Sequence, residues 1–190
     1  MRSVIMEEPG KVVVEDRPMP TLLESTDAVI KLAASCICGS DLWPYRGAQP
    51  VDHQQMGHEY IGEVIEVGDD VKTVKPGDFV VGSFCISCGE CATCQDGYPS
   101  RCLKAIAAGD GFIGMRSNGT QAEYARIPFA DGTLVKTPAY PTAEQIPHLM
   151  AASDVLGTGW YAADAAKEES DEVKLLTEIR DALAQGGPRH

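Results

Sequence analysis

Four cysteines between positions 88 and 102, Cys88-x2-Cys91-x2-Cys94-x7-Cys102, restrict this chain more than any other feature. The segment that carries them has almost no apolar residues from which to build a core. Four thiolates can close a tetrahedron about one Zn²⁺ and leave no open position, and such a site folds its own loop. The spacing also admits a second register, Cys85, Cys88, Cys91 and Cys94, with Cys102 spare. The chain holds seven cysteines, and its first residues, MRSVIMEEPG, are no signal peptide. That combination points to metal ligands rather than disulfides, and to the cytoplasm.

The remainder reads as a β-rich body. At 190 residues with 44% hydrophobic content, the chain suffices for one domain with an appendage. Residues 1–16 suggest two short strands around a Pro9-Gly10 turn, and residues 28–34 a third. Ser40 or Asp41 is expected to cap a short helix through Trp43 and Tyr45. Residues 60–67, 79–84, 121–128 and 133–136 continue the strand pattern between Gly and Pro turns, which suggests a barrel or sandwich. From Thr142 the pattern turns helical. Thr142-Ala-Glu-Gln145 resembles a capping box, and residues 148–166 read as one helical stretch. The formal net charge of −12 disfavours nucleic acid and anionic membranes as partners. No apolar run reaches transmembrane length.

A second group of metal-binding residue types is dispersed. Cys38 follows one strand, His58 with Glu59 precedes another, and Asp154 lies about a hundred residues on. One thiolate, one imidazole and one carboxylate leave a fourth position for water or substrate, the pattern of a catalytic zinc. The plain alternatives are a small buried cysteine at position 38 and a helix cap at Asp154.

Cys38-Gly-Ser-Asp41, Gly57-His-Glu59 with Gly62 and Gly68, the four-cysteine lobe and residues 119–124 occur in this order. Together they resemble the zinc-dependent alcohol dehydrogenases of the medium-chain dehydrogenase/reductase superfamily. The resemblance runs over residues 1–166 and implies a β-rich α+β, chaperonin-10-like (GroES-like) barrel with a zinc lobe and C-terminal helices. It implies a catalytic-type zinc on Cys38, His58 and Asp154, with Glu59 beside the metal. It also implies that Asp41 orients His58, that Ser40 passes a proton, and that Cys88, Cys91, Cys94 and Cys102 hold a structural zinc. NAD(P) is the family's hydride partner, and a small alcohol or carbonyl compound its substrate.

The chain departs from that pattern in three places. A doubly wound nicotinamide-binding (Rossmann) domain is expected to be absent, so tight NAD(P) binding is not expected. Gly109-Asp-Gly111-Phe-Ile-Gly114 and Gly157-Thr-Gly159-Trp-Tyr-Ala162 match glycine-rich fingerprints literally, but both lack the flanking strand and helix that the motif requires. Trp43 stands where family members often carry a relay histidine, with His53 and Tyr45 as candidate substitutes. Residues 167–190 form a separate amphipathic tail, with Val173, Leu176, Ile179 and Leu183 on one helical face. That tail is similar to the cytoplasmic helix of large-conductance mechanosensitive channels. It is expected either to fold back over apolar residues such as Trp160 and Tyr161 or to pair with a second copy.

The expected function is therefore the zinc-binding catalytic domain of an alcohol dehydrogenase-like oxidoreductase, inactive alone, completed by self-association or a separate nicotinamide-binding chain. The alternatives are a noncatalytic zinc-binding, oligomerising module and a truncated gene-fusion product.

Overall fold

The structure, a computed structural model, describes residues 1–109, 119–166 and Leu175. The chain divides into two compact units, Met1–Asp154 and Val155–His190. The expected boundary between residues 166 and 167 falls at the edge of the described residues. The tail stripe of Val173, Leu176, Ile179 and Leu183 lies outside them.

The first unit is built from two antiparallel sheets. β1 (Arg2–Glu8) and β2 (Lys11–Asp16) form a hairpin whose turn uses Gly10 at φ 80°. β3 (Ala28–Ser35) follows, then the short helix α1 (Leu42–Tyr45) and a two-residue strand β4 (Gln54–Gln55) that pairs with β1. β5 (Tyr60–Val67) and β6 (Phe79–Gly82) come next, then the lobe with α2 (Ala92–Gln95) and α3 (Leu103–Ala108). The chain returns through β7 (Tyr124–Ile127), α4 (Ala130–Thr133) and β8 (Leu134–Lys136) to α5 (Ile146–Ala151). The small sheet has the order β2-β1-β4, and the large one β7-β3-β5-β6-β8. The second unit is represented by α6 (Val155–Ala165).

β-Branched and aromatic residues explain why the large sheet forms and which face it buries. Ile30, Tyr60, Val64, Val80 and Ile127 are fully buried and meet Leu134 and Ile86 in one core. Burying each aliphatic side chain of this size stabilises the fold by about 1.5–3 kcal/mol. A smaller cluster joins Ile61 and Phe79 to Met150 on α5, with Ile146 and Leu149 packed around it. This contact seats α5 at the end of the sheet where β3 stops and β5 begins.

Several local expectations change. Asp41 does not cap forward into α1: its carboxylate accepts a hydrogen bond from the Cys38 N–H at 2.9 Å and closes a tight turn over Gly39–Asp41. Closing the turn behind it satisfies a backbone donor that the short helix cannot reach. β6 stops at Gly82, two residues early: the Ser83 N–H still bonds the Thr133 carbonyl in the register of the β6–β8 ladder, but Thr133 belongs to α4 rather than to a strand. The long helix expected over residues 148–166 is two helices. Ser153 donates to the Met150 carbonyl through its N–H (3.1 Å) and its hydroxyl (2.8 Å), and a turn over residues 152–154 intervenes. The Gln145 side chain does accept from the Thr142 N–H (2.9 Å), as in a capping box, but α5 starts only at Ile146.

Candidate metal centres

The first centre hangs from one end of the β3–β5 pair. Ser35 pairs with Tyr60 in that ladder. Cys38 follows soon after Ser35, and His58 and Glu59 immediately precede Tyr60, so two short excursions from neighbouring strands bring them together. The turn after α5 delivers Asp154 to the same place. One ligand-type atom from each of Cys38, His58, Glu59 and Asp154 lies within 4.8 Å of the others. His58 Nε2 is 3.5 Å from Asp154 Oδ2, and Cys38 Sγ is 3.9 Å from that oxygen. Zinc bonds of about 2.0–2.3 Å require tetrahedral edges of about 3.3–3.8 Å, so this donor set fits a zinc ion.

Around these donors stand the groups that orient them. Asp41 Oδ1 lies 3.7 Å from His58 Nδ1, on the side of the ring away from Asp154. Ser40 Oγ is 3.4 Å from His58 Nε2 and is exposed. Glu59 is almost entirely buried. Its backbone carbonyl accepts from the hydroxyls of Ser35 (2.8 Å) and Thr120 (3.3 Å), which pin the residue between two segments. His53 is engaged elsewhere: its Nε2 meets Glu15 on β2 at 3.0 Å. Trp43 and Tyr45 are exposed on α1.

In the lobe, the sulfurs of Cys88, Cys91, Cys94 and Cys102 lie within 4.8 Å of one another. Cys91 Sγ is 3.4 Å from Cys94 Sγ and 3.9 Å from Cys102 Sγ, close to the edges of a sulfur tetrahedron. The backbone aims N–H donors at these sulfurs: Cys91 to Cys88 (3.3 Å), Cys88 to Cys102 (3.3 Å) and Ala105 to Cys102 (3.4 Å). Such donors favour the thiolate. A hydrogen bond from the Thr93 hydroxyl, with help from the Cys94 N–H, lowers the Cys91 thiol to about 5. Cys85, the extra member of the rival register, is outside this group. Burial first, then the charge of Asp154, pushes its thiol up to about 11.

Of the sequence-selected residues, Cys38, Ser40, Asp41, His58, Glu59 and Asp154 thus form one cluster, and Cys88, Cys91, Cys94 and Cys102 another. Gln121 was not singled out, although it touches the first cluster. Its only sequence signal was a polar side chain inside the 119–124 motif. The glycine-rich matches behave differently. Gly109 ends α3 in a left-handed conformation, and the rest of that match lies outside the described residues. Gly157 and Gly159 are inside α6.

Two antiparallel sheets that carry two zinc-type donor sets, one of them all cysteine, define a class of metal-binding domain. Residues 24–139 match the alcohol dehydrogenase GroES-like domain, and the chain belongs to that family. It is 44% identical over 167 residues to zinc-type alcohol dehydrogenase B of Aspergillus flavus, covering 87% of this chain and 37% of the relative. Identity to the medium chain reductase/dehydrogenase ucsI of Acremonium sp. is 39%, covering 86% of this chain and 54% of the relative. Among solved structures, alcohol dehydrogenase TADH from Thermus sp. ATN1 superposes with a TM-score of 0.74 at 34% identity, covering 84% of this chain and 46% of that one. The chain thus spans 37% to 54% of the length of these relatives. Among the described residues no helix is long and apolar enough to cross a membrane.

Proposed function

We propose that these 190 residues supply the alcohol-binding, zinc-dependent part of an NAD(P)-linked oxidoreductase that interconverts a small alcohol and its carbonyl compound. The convergence of Cys38, His58 and Asp154, from segments far apart in the chain, carries this reading. Cys38, His58 and Asp154 would hold the catalytic-type zinc, with buried Glu59 as a fourth donor within reach. When bound there, zinc would supply Lewis-acid polarisation of the substrate oxygen. Asp41 holds the His58 ring by its Nδ1 side and leaves Nε2 to the metal. The exposed Ser40 hydroxyl sits at the rim, where it takes the alcohol proton and hands it to solvent. Cys88, Cys91, Cys94 and Cys102 would hold a second zinc, which would serve to fold the lobe.

Residues 1–166 form the catalytic domain in this reading, and residues 167–190 an amphipathic helical appendage. Hydride transfer also needs a nicotinamide held close to the substrate carbon. Gly157 and Gly159 sit within a helix rather than on a strand-to-helix turn. In this reading the nicotinamide is held by other residues, on the same or another chain. Mixing the 190-residue protein with NAD⁺ or NADP⁺ and short primary alcohols tests this. Zinc at both centres with no turnover above background is the expected outcome, and turnover by the 190 residues alone overturns the division of labour.

A further inference from the structure

Cys38 and His58 both lie beyond the last pair of the β3–β5 ladder, Ser35 with Tyr60. No ladder hydrogen bond sets the distance between them. A metal site needs its donors held to within about 0.5 Å, so something outside the ladder must fix that spacing. The Ser35 hydroxyl on the Glu59 carbonyl secures only the roots of the two excursions.

Gln121 is placed to secure their tips. Its Nε2 donates to the Cys36 carbonyl and to Asp41 Oδ2, each at 3.1 Å. The same Oδ2 accepts the Cys38 N–H at 2.9 Å. One NH₂ group therefore grips the chain on both sides of Cys38. At the other end, the Gln121 N–H donates to the Met56 carbonyl (2.9 Å), and the Thr120 N–H to the Gly57 carbonyl (3.1 Å). Those carbonyls belong to the segment that ends in His58. The Gln121 carbonyl accepts from the Val4 N–H of β1 at 2.8 Å, which ties the unit to the small sheet.

Two further observations agree. Both partners of the amide are acceptors, and a side-chain NH₂ has two hydrogens, so the donor count is fully used. A carboxylate at this position would instead face the buried Asp41. Room for the side chain is also built in. Gly57 has φ +95°, and a Cβ there would lie 2.7 Å from both Gln121 Cγ and Gln121 N.

We propose that Gln121 is a positioning residue that sets the separation of Cys38 and His58 and so pre-forms the metal site. The proposal rests on the reading that Cys38 and His58 share a metal.

Cobalt titration of the metal-free protein, followed by its ligand-field bands, tests it. The wild type is expected to fill both the lobe and the Cys38–His58 site. Gln121→Leu and Gln121→Glu are expected to leave the lobe band unchanged and to weaken the other site at least about tenfold, the lower end for loss of a supporting contact. Gln121→Lys, which keeps a donor, should recover most of that loss. Because the amide acts through Asp41, Gln121→Leu should cost less on an Asp41→Ala background than alone. In the metal-free protein, amide exchange at Cys38 should quicken in Gln121→Leu while β3 and β5 keep their protection. Wild-type cobalt affinity in Gln121→Leu together with unchanged exchange at Cys38 overturns the proposal. If the wild type fills only the lobe, the reading under Proposed function fails, and exchange at Cys38 alone decides the role of Gln121.

Discussion

His58 sits between groups that act on different nitrogens: Asp41 faces Nδ1, while Ser40 and Asp154 face Nε2. Its side chain is mostly buried, and its ring contact is an edge-on one with Phe84 rather than with the buried β-sheet core. His58→Ala is therefore expected to remove one zinc and spare the fold, so that elemental analysis reads about one zinc per chain instead of about two. Cys91→Ser should remove the other zinc and unfold the lobe, which circular dichroism and proteolysis around residue 91 report. A different residue carries more of the folding energy. Asp27 is 1% exposed, and one of its oxygens accepts from the N–H groups of Leu23 and Glu24 and from Arg126 Nε at 2.6 Å. The other oxygen, Oδ1, has no hydrogen-bond partner among the described residues. Removing the guanidinium leaves a buried carboxylate without its counter-charge. Arg126→Ala should cost about 3–5 kcal/mol in urea unfolding, and a change below about 1 kcal/mol would show that water already screens the pair.

Between β5 and β6 two contacts control how the strands pair. A Cβ on Gly82 would fall 1.9 Å from the ring of Tyr60, which is fully buried and donates its hydroxyl to the Ser83 carbonyl at 3.3 Å. Gly82→Ala forces the ring or the strand to move, and an overpacked core of this kind loses about 1–3 kcal/mol. The lowered denaturation midpoint checks it. In the connecting turn, the Lys136 ammonium on β8 lies 2.7 Å from Asp78 Oδ1, and the Lys75 N–H donates to Oδ2 at 3.0 Å. Lys136 first, then the Lys75 N–H, holds the Asp78 carboxyl below its ordinary value despite some burial. A depressed carboxylate stabilises the fold above its unfolded value of about 3.9 and loses that contribution as pH falls through the lower folded value. Wild type and Asp78→Asn should therefore differ by less than about 1 kcal/mol at pH 7, the gap closing below about pH 4. A gap that widens in acid would contradict the assignment. Most strands were legible from the sequence because alternating β-branched residues between Gly and Pro turns mark a half-buried sheet. The end of β6 and the break before Asp154 were not, because the partner of Ser83 is the helical Thr133, distant in sequence, and Ser153 bonds Met150 through its side chain as well as its backbone, and no periodicity records either.

On the scale of the molecule, the lobe interrupts the chain between β6 and β7, yet it is joined to the main core. Cys88, Cys102 and Ala105 are buried in the same cluster as Ile30 and Val64. Metal bound at the lobe would thus stabilise more than its own loop. Dialysis against a strong chelator at neutral pH should lower the thermal midpoint of the whole first unit, and added Zn²⁺ should restore it. An unchanged midpoint after complete zinc loss would mean that the lobe folds without metal.

The sequence by itself determined the chemistry available and its approximate frame. Cysteines at short spacing can meet without help from the rest of the chain, so a cysteine cluster in the lobe is expected from local geometry, although spacing alone left two registers open. β-Rich alternation and the family resemblance were also sufficient to expect the barrel-like domain. The resemblance implied which dispersed residues share a site, but tertiary structure supplies the contacts that bring them together. Whether Cys38, His58 and Asp154 meet depends on the β3–β5 register and on Met150 seating α5 against Ile61 and Phe79. Whether Cys88 joins Cys102 rather than Cys85 depends on where Cys85 is buried. That Gln121 links the Cys38 and His58 segments depends on tertiary contacts, where the chain from residue 120 to 123 bonds to β1, β3 and the His58 segment at once. Each is a contact between residues distant in sequence, and only packing, not spacing, specifies it.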